Sequence, residues 1–123
     1  MKKSVFLIDD DDDVRDVVAY ALEEDGFQVT SFEDGSAGYQ SLDKLPLDKH
    51  PGLIIVDYMM PKMDGMKFID QIKTHHSLNH IPILLCSAKG SEEVPSPLPQ
   101  GVSQIIKPME LDHLLNVVRS HFA

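Results

Sequence analysis

The chain has 123 residues, enough for one domain and too few for two, so residues 1–123 are expected to form a single unit. Its 42% apolar and 25% charged residues match a globular chain and not a disordered one. Acids outnumber Lys and Arg 20 to 11, a net charge of -9, which argues against a duplex-binding surface because neutralising phosphates needs clustered bases.

Val5-Phe-Leu-Ile8 is continuously apolar, as a strand covered on both faces must be. Val14, Val17, Val18, Ala21 and Leu22 then recur at helical spacing, and Gly26 supplies the stop. Phe27 to Phe32 predicts a second strand, and a short helix follows from about Ser36 to Leu45, ended by Pro46. Gly52-Leu-Ile-Ile-Val56 is a third strand running into Asp57. Pro61 and Asp64-Gly65 punctuate a loop, after which Met66, Ile69 and Ile72 mark a helix face. Pro82 to Cys86 predicts a fourth strand. From Lys89 to Gly101 the pattern fails, since Pro95, Pro97 and Pro99 recur every second residue and no helix interior survives that. A loop is expected there, with at most a turn of helix at Ser91 to Val94. Ser103 to Ile106 is a fifth strand, and Leu111, Leu114, Leu115, Val118 and Phe122 form the apolar face of a last helix. Strands alternating with helices predict a doubly wound α/β fold with helices on both faces of one parallel sheet.

In such sheets sites form beyond the carboxyl ends of the strands. Here strand one ends in Asp9-Asp10, strand three in Asp57, strand four in Ser87 and strand five in Lys107. Singly, each has an ordinary explanation as a solvated face, a cap or an exposed base. Together, in register, they form a set suited to phosphoryl chemistry. Three crowded carboxylates repel one another and raise their own pKa values unless a divalent cation sits among them. Oxygen-only ligands select Mg²⁺, Mn²⁺ or Ca²⁺ over zinc, and Mg²⁺, with Mn²⁺ possible, is the usual partner of phosphate. A cation beside Asp57 lets it act as a nucleophile toward phosphorus, while Lys107 adds a second positive charge and the Ser87 hydroxyl can donate to a phosphoryl oxygen.

At these residues the sequence resembles a known family. Val5-Phe-Leu-Ile-Asp-Asp10, Asp57-Tyr-Met-Met-Pro-Lys-Met-Asp-Gly65, Cys86-Ser-Ala88 and Lys107-Pro108 look like the receiver domain of two-component response regulators, in order and spacing. The resemblance implies a flavodoxin-like five-stranded sheet of order 2-1-3-4-5; the proline-rich stretch departs from it, leaving the fourth helix degenerate or replaced by a loop. It also implies Asp57 as phosphoacceptor, Asp9 and Asp10 as the acidic metal pair, the backbone carbonyl of Met59 as a further metal ligand, and Ser87 and Lys107 as the hydroxyl and lysine of the site. The implied partners are a histidine kinase or histidine phosphotransfer protein and a downstream protein target, with no direct nucleic acid, and the implied state is a monomer or weak dimer. Receivers usually carry Tyr or Phe three residues before the lysine, whose swing reports phosphorylation; this chain has Gln104 there.

Other patterns carry less. Asp9 to Asp13 fails as a calcium loop, because the sixth position is Val14 where Gly is needed and the twelfth is Tyr20 where Glu is needed. His75, His76 and His80 are expected to be a solvated connector and not a zinc site, and Met59, Met60, Met63 and Met66 to be core filling in part. The one cysteine, Cys86, excludes an internal disulfide framework and fits a reducing compartment. The apolar stretch after Met1-Lys2-Lys3-Ser4 is too short for a signal h-region, and no transmembrane run exists. A cytoplasmic, stand-alone receiver is expected, acting as a phosphoacceptor and not as a turnover enzyme. Two other readings stand beside it: a haloacid-dehalogenase-type phosphatase with Asp10 as nucleophile, through Asp10-Asp-Asp12-Asp-Val14, and a phosphorylation-independent binding module.

Overall fold

Ser4–Ile8, strand β1, is paired on both of its edges, which explains its apolar run: four of its five residues are buried. The computed structural model of the chain describes residues 3–60, 64–88, 97–107 and 110–123. After β1 come α1 (Asp12–Glu24), β2 (Gln28–Phe32), α2 (Gly35–Lys44), β3 (Leu53–Asp57), α3 (Gly65–Thr74), β4 (Ile83–Ala88), β5 (Val102–Lys107) and α4 (Leu111–His121). The strands form one parallel sheet in the order β2-β1-β3-β4-β5. This is the order that the resemblance implies. All five residues of central β3 are buried, whereas the edge strands β2 and β5 leave three residues each exposed to solvent.

Side chains alternate across the sheet and so feed two cores. Phe6, Ile8, Ile54, Val56, Ile83 and Leu85 pack against Leu42 of α2 and Phe68, Ile69 and Ile72 of α3. Val5, Leu7, Leu53, Ile55, Leu84 and Cys86 pack on the other face against Val18 and Leu22 of α1 and Leu114 and Val118 of α4. Three helices start on aspartate caps: Asp11, Asp34 and Asp64 each accept from an amide two or three residues on, satisfying donors that a helix start leaves open. Gly26 closes α1 at φ +95°, a conformation that residues with a Cβ rarely adopt.

The predicted elements stand within one or two residues of the observed ones. The periodicity does not anticipate the single 3₁₀ turn at Leu47–Lys49 after Pro46. Of the proline-rich stretch, residues 89–96, including the expected turn at Ser91 to Val94, lie outside the described residues. The described remainder, 97–101, holds a turn closed by Val102 N–H to the Pro99 carbonyl at 3.1 Å.

Candidate functional site

Because the strands are parallel, their carboxyl ends bring Asp9, Asp10, Asp57, Ser87 and Lys107 to one edge of the sheet. Carboxylate oxygens of Asp9, Asp10 and Asp57 lie within 4.8 Å of one another. Asp9 and Asp57 are buried, at 6% and 9% exposure, while Asp10 faces solvent. Lys107 reaches in from β5 and its Nζ donates to Asp57 Oδ1 at 2.9 Å. The Asp57 pKa is raised: burial dominates, the Lys107 hydrogen bond and charge oppose it, and the Asp10 charge adds to it. Asp9 is raised too, by burial first and by the charges of Asp57 and Asp10, against the amide of Asp11 that donates to its Oδ1 at 2.9 Å. Burial pulls the Lys107 ammonium down, but the bond to Asp57 and the charges of Asp57 and Asp9 outweigh it and leave its pKa raised. The corner carries more negative charge than one lysine offsets.

Local sequence places each group. The aspartate run divides its labour: Asp9 is buried in the site, Asp10 stands at its rim, Asp11 caps α1, and Asp12 and Asp13 occupy the first turn, where acid suits the helix dipole. Arg15 braces the run, its Nη1 donating to the Asp9 carbonyl at 2.7 Å and its Nη2 pairing with Asp12. Asp12, the second acid of the phosphatase-type reading, is therefore an exposed helix residue engaged with Arg15. Below Asp57, the Tyr58 amide donates to the Cys86 carbonyl at 2.8 Å and the Gly65 amide to the Tyr58 carbonyl at 2.8 Å. A Cβ on Gly65 would stand 2.8 Å from the Asp57 carbonyl oxygen and 3.0 Å from Tyr58 Cα, so α3 can start this close to β3 only on glycine. The Asp-Gly that ends the motif thus supplies one cap and one close approach.

Ser87 is 1% exposed and its Oγ accepts from Gln104 Nε2 at 2.6 Å. Reading the sequence misses this partner and the brace from Arg15. Spacing alone hints at the latter, since Asp12 and Arg15 are three apart in a helix. The Cys86 thiol is 3% exposed and burial pushes it up to about 12, so it is core and not nucleophile. Met60 is buried and Met66 packs on the core, while the Met59 side chain is 64% exposed; Met63 and Lys89 lie outside the described residues. The histidines do not converge on one ion: His75 bonds Asp43 at 2.8 Å, His76 stacks on His75, and His80 stacks on His50. Among the described residues, the only group of three or more His, Cys, Asp or Glu placed to hold a metal is Asp9, Asp10 and Asp57.

These features define a doubly wound α/β protein with an acidic crevice at its strand ends. The chain belongs to the response regulator receiver family, matching the family described as response regulator receiver domain over residues 5–119. It is 30% identical over 93 residues to the phosphate regulon transcriptional regulatory protein PhoB of Escherichia coli (strain K12), an overlap of 76% of this chain and 39% of that protein. It is 33% identical over 116 residues to hybrid signal transduction histidine kinase D of Dictyostelium discoideum, covering 93% of this chain and 7% of that one. The chain thus spans about two fifths of the length of PhoB or less of these relatives. Among solved structures, a CheY-like response regulator receiver domain protein from Methanospirillum hungatei JF-1 superposes with a TM-score of 0.79 at 29% identity, over 97% of this chain and 91% of that one. The chain is a receiver domain of the two-component signal transduction family. No helix among the described residues is long and apolar enough to cross a membrane.

Proposed function

We propose that Asp57 is the residue of this receiver that takes the phosphoryl group, supplied by a histidine kinase or histidine phosphotransfer protein in a Mg²⁺-dependent reaction. The observation that carries this reading is the Asp57 carboxylate itself, buried at a strand end with Lys107 at 2.9 Å and the Asp9 and Asp10 carboxylates within 4.8 Å. An Asp57 oxygen attacks phosphorus; the new O–P bond forms as the bond to the donor's leaving atom breaks and its electron pair departs with that atom. Lys107 holds the attacking carboxylate in place and offsets the charge of the incoming phosphoryl oxygens, and Ser87 donates to one of them.

The donor set fits a hard cation: three carboxylates, all oxygen, of which Asp9 and Asp57 have pKa values raised by burial first and by neighbouring acids further. Asp9, Asp10, Asp57 and the Met59 backbone carbonyl would hold Mg²⁺, and Mn²⁺ suits the same set. When bound, the cation offsets the repulsion between these carboxylates and a phosphate. Beside the acidic corner, between α1 and α4, Val17, Tyr20 and Leu111 are exposed in a hollow rimmed by Asp16, Glu24 and Asp112, an apolar surface for the donor protein to cover. One sheet across the chain supports a single receiver domain over residues 1–123; action in the cytoplasm on a downstream protein target belongs to the same proposal.

Acetyl phosphate with Mg²⁺, followed by intact mass, tests the assignment. The parent protein gains one phosphoryl group and Asp57→Asn gains none; undiminished labelling of the variant would sink the assignment.

A further inference from the structure

Ser87, the last but one residue of β4, has 1% of its surface exposed, and a hydroxyl so buried needs a hydrogen-bond partner. It finds one across the sheet. The β4–β5 register pairs Leu85 with Gln104 and Ser87 with Ile106, which puts residues 85, 87, 104 and 106 on one face. Gln104 reaches diagonally along that face, and its Nε2 donates to Ser87 Oγ at 2.6 Å. A serine hydroxyl has one proton to give and two lone pairs to receive. Gln104 occupies a lone pair, and no described residue accepts the hydroxyl's proton.

We infer that Gln104 is a positioning residue for phosphoryl transfer to Asp57: by donating to Ser87 Oγ it fixes that hydroxyl as an acceptor toward β5 and keeps its proton for a phosphoryl oxygen. The inference rests on the reading of Asp57 as phosphoacceptor. An N–H donated to an oxygen polarises that oxygen's own O–H bond and makes it a better donor, so the amide both orients and strengthens the group that meets the phosphate. An acceptor at position 104 would do the reverse, capturing the proton and turning lone pairs toward the phosphoryl oxygens. Gln104 itself is solvent-exposed, so replacing it alters the hydroxyl's partner without opening the core.

The test is the maximal rate of adduct formation with saturating acetyl phosphate and Mg²⁺, read by intact mass, in the parent, Gln104→Met, Gln104→Glu, Ser87→Ala and the double variant Ser87→Ala/Gln104→Met. Gln104→Met should slow labelling by about two- to ten-fold, the scale of one net hydrogen bond. The Mg²⁺ concentration giving half the maximal rate should not move, because Gln104 is outside the acidic cluster. Gln104→Glu, which can only accept when ionised, should slow labelling at least as much. In the Ser87→Ala background the Gln104→Met change should cost nothing more, since its effect passes through the hydroxyl. Parent-like labelling by Gln104→Met, or an equal loss with and without Ser87, overturns the inference. A parent protein that forms no adduct would instead bring down the Asp57 reading, and this inference with it.

Discussion

At the ends of β1 and β3 three carboxylates crowd within 4.8 Å of one another, whereas between β4 and β5 the Ser87 hydroxyl accepts from the Gln104 amide at 2.6 Å. Burial is similar in the two corners, since Asp9, Asp57 and Ser87 are all buried, so the difference lies in what each buried group is given as a partner. The acidic corner is left short of positive charge, and burial first, then neighbouring acids, raise the pKa values of Asp9 and Asp57; in the neutral corner one hydrogen bond is made and the Ser87 proton is left over. A deficit of that kind costs stability in the empty protein and is returned when a cation binds, while a satisfied hydrogen bond costs little and fixes geometry. Lys107 belongs to the second corner by strand and to the first by charge, and it joins them.

Asp10 offers the largest way to break that contrast. Its charge helps raise both Asp9 and Asp57. For these two groups the folded pKa lies above the unfolded one, so their stability contribution is full at low pH and is lost as pH rises through the raised values. Asp10→Asn should weaken Mg²⁺ binding about a hundredfold, at least the upper range seen when metal sites lose supporting groups, as measured by calorimetric titration. The same variant without metal should be more stable than the parent at pH 7 by about 0.5 kcal/mol, the scale of one surface charge pair, with the advantage disappearing once the carboxylates are protonated. A variant less stable than the parent at pH 7 would show that the corner is not under charge strain.

The acidic corner is legible in the sequence because its carboxylates follow two apolar runs, Asp9 and Asp10 after Val5 to Ile8 and Asp57 after Leu53 to Val56, and strand ends in a parallel sheet converge whatever the register. Asp9, Asp57 and Lys107 can therefore be placed together without knowing which residues face one another. The neutral corner cannot be read this way. The bond from Gln104 to Ser87 depends on pairing Leu85 with Gln104, and a one-residue slip would turn Gln104 to the opposite face. Local sequence shows that position 104 lacks a ring but not what the amide does instead. Arg15 hides for a related reason: its partner at Asp9 is a carbonyl, which every residue has and no side-chain pattern marks. The 3₁₀ turn at Leu47–Lys49 is shorter than any period can register.

The acidic corner also depends on the close approach of α3 to β3, and Gly65 tests that with a smaller effect. A methyl at Gly65 would meet backbone at 2.8 Å and 3.0 Å, and backbone cannot rotate away as a side-chain tip can. Gly65→Ala should destabilise by about 2 kcal/mol, within the usual range for overpacking, read as a lowered midpoint in urea. The strain falls on the Asp57 carbonyl, so adduct formation should slow as well, whereas Gln104→Met slows labelling with little loss of stability. An unchanged midpoint would mean that α3 can withdraw from β3 freely.

The smallest effect serves as the counterweight to the acidic corner. Asp25, just past α1, receives two bonds from Arg119 of α4, Nε to Oδ2 and Nη2 to Oδ1, each at 2.7 Å. The Arg119 hydrogen bond is the main cause that lowers the Asp25 pKa, so here the sign is opposite to that of Asp9 and Asp57. A carboxylate with a depressed folded pKa stabilises above its unfolded pKa and loses that contribution as pH falls through the folded value. Asp25→Asn should therefore flatten the acid limb of the stability profile while leaving the loss on the rising side, which Asp10→Asn relieves. Because Arg119 is exposed, the difference should be slight and should shrink further at 1 M salt. Denaturant melts of both variants from pH 2 to 7 separate the two limbs, and an acid limb that stays as steep in Asp25→Asn as in the parent would show that the Arg119 fork does not set it.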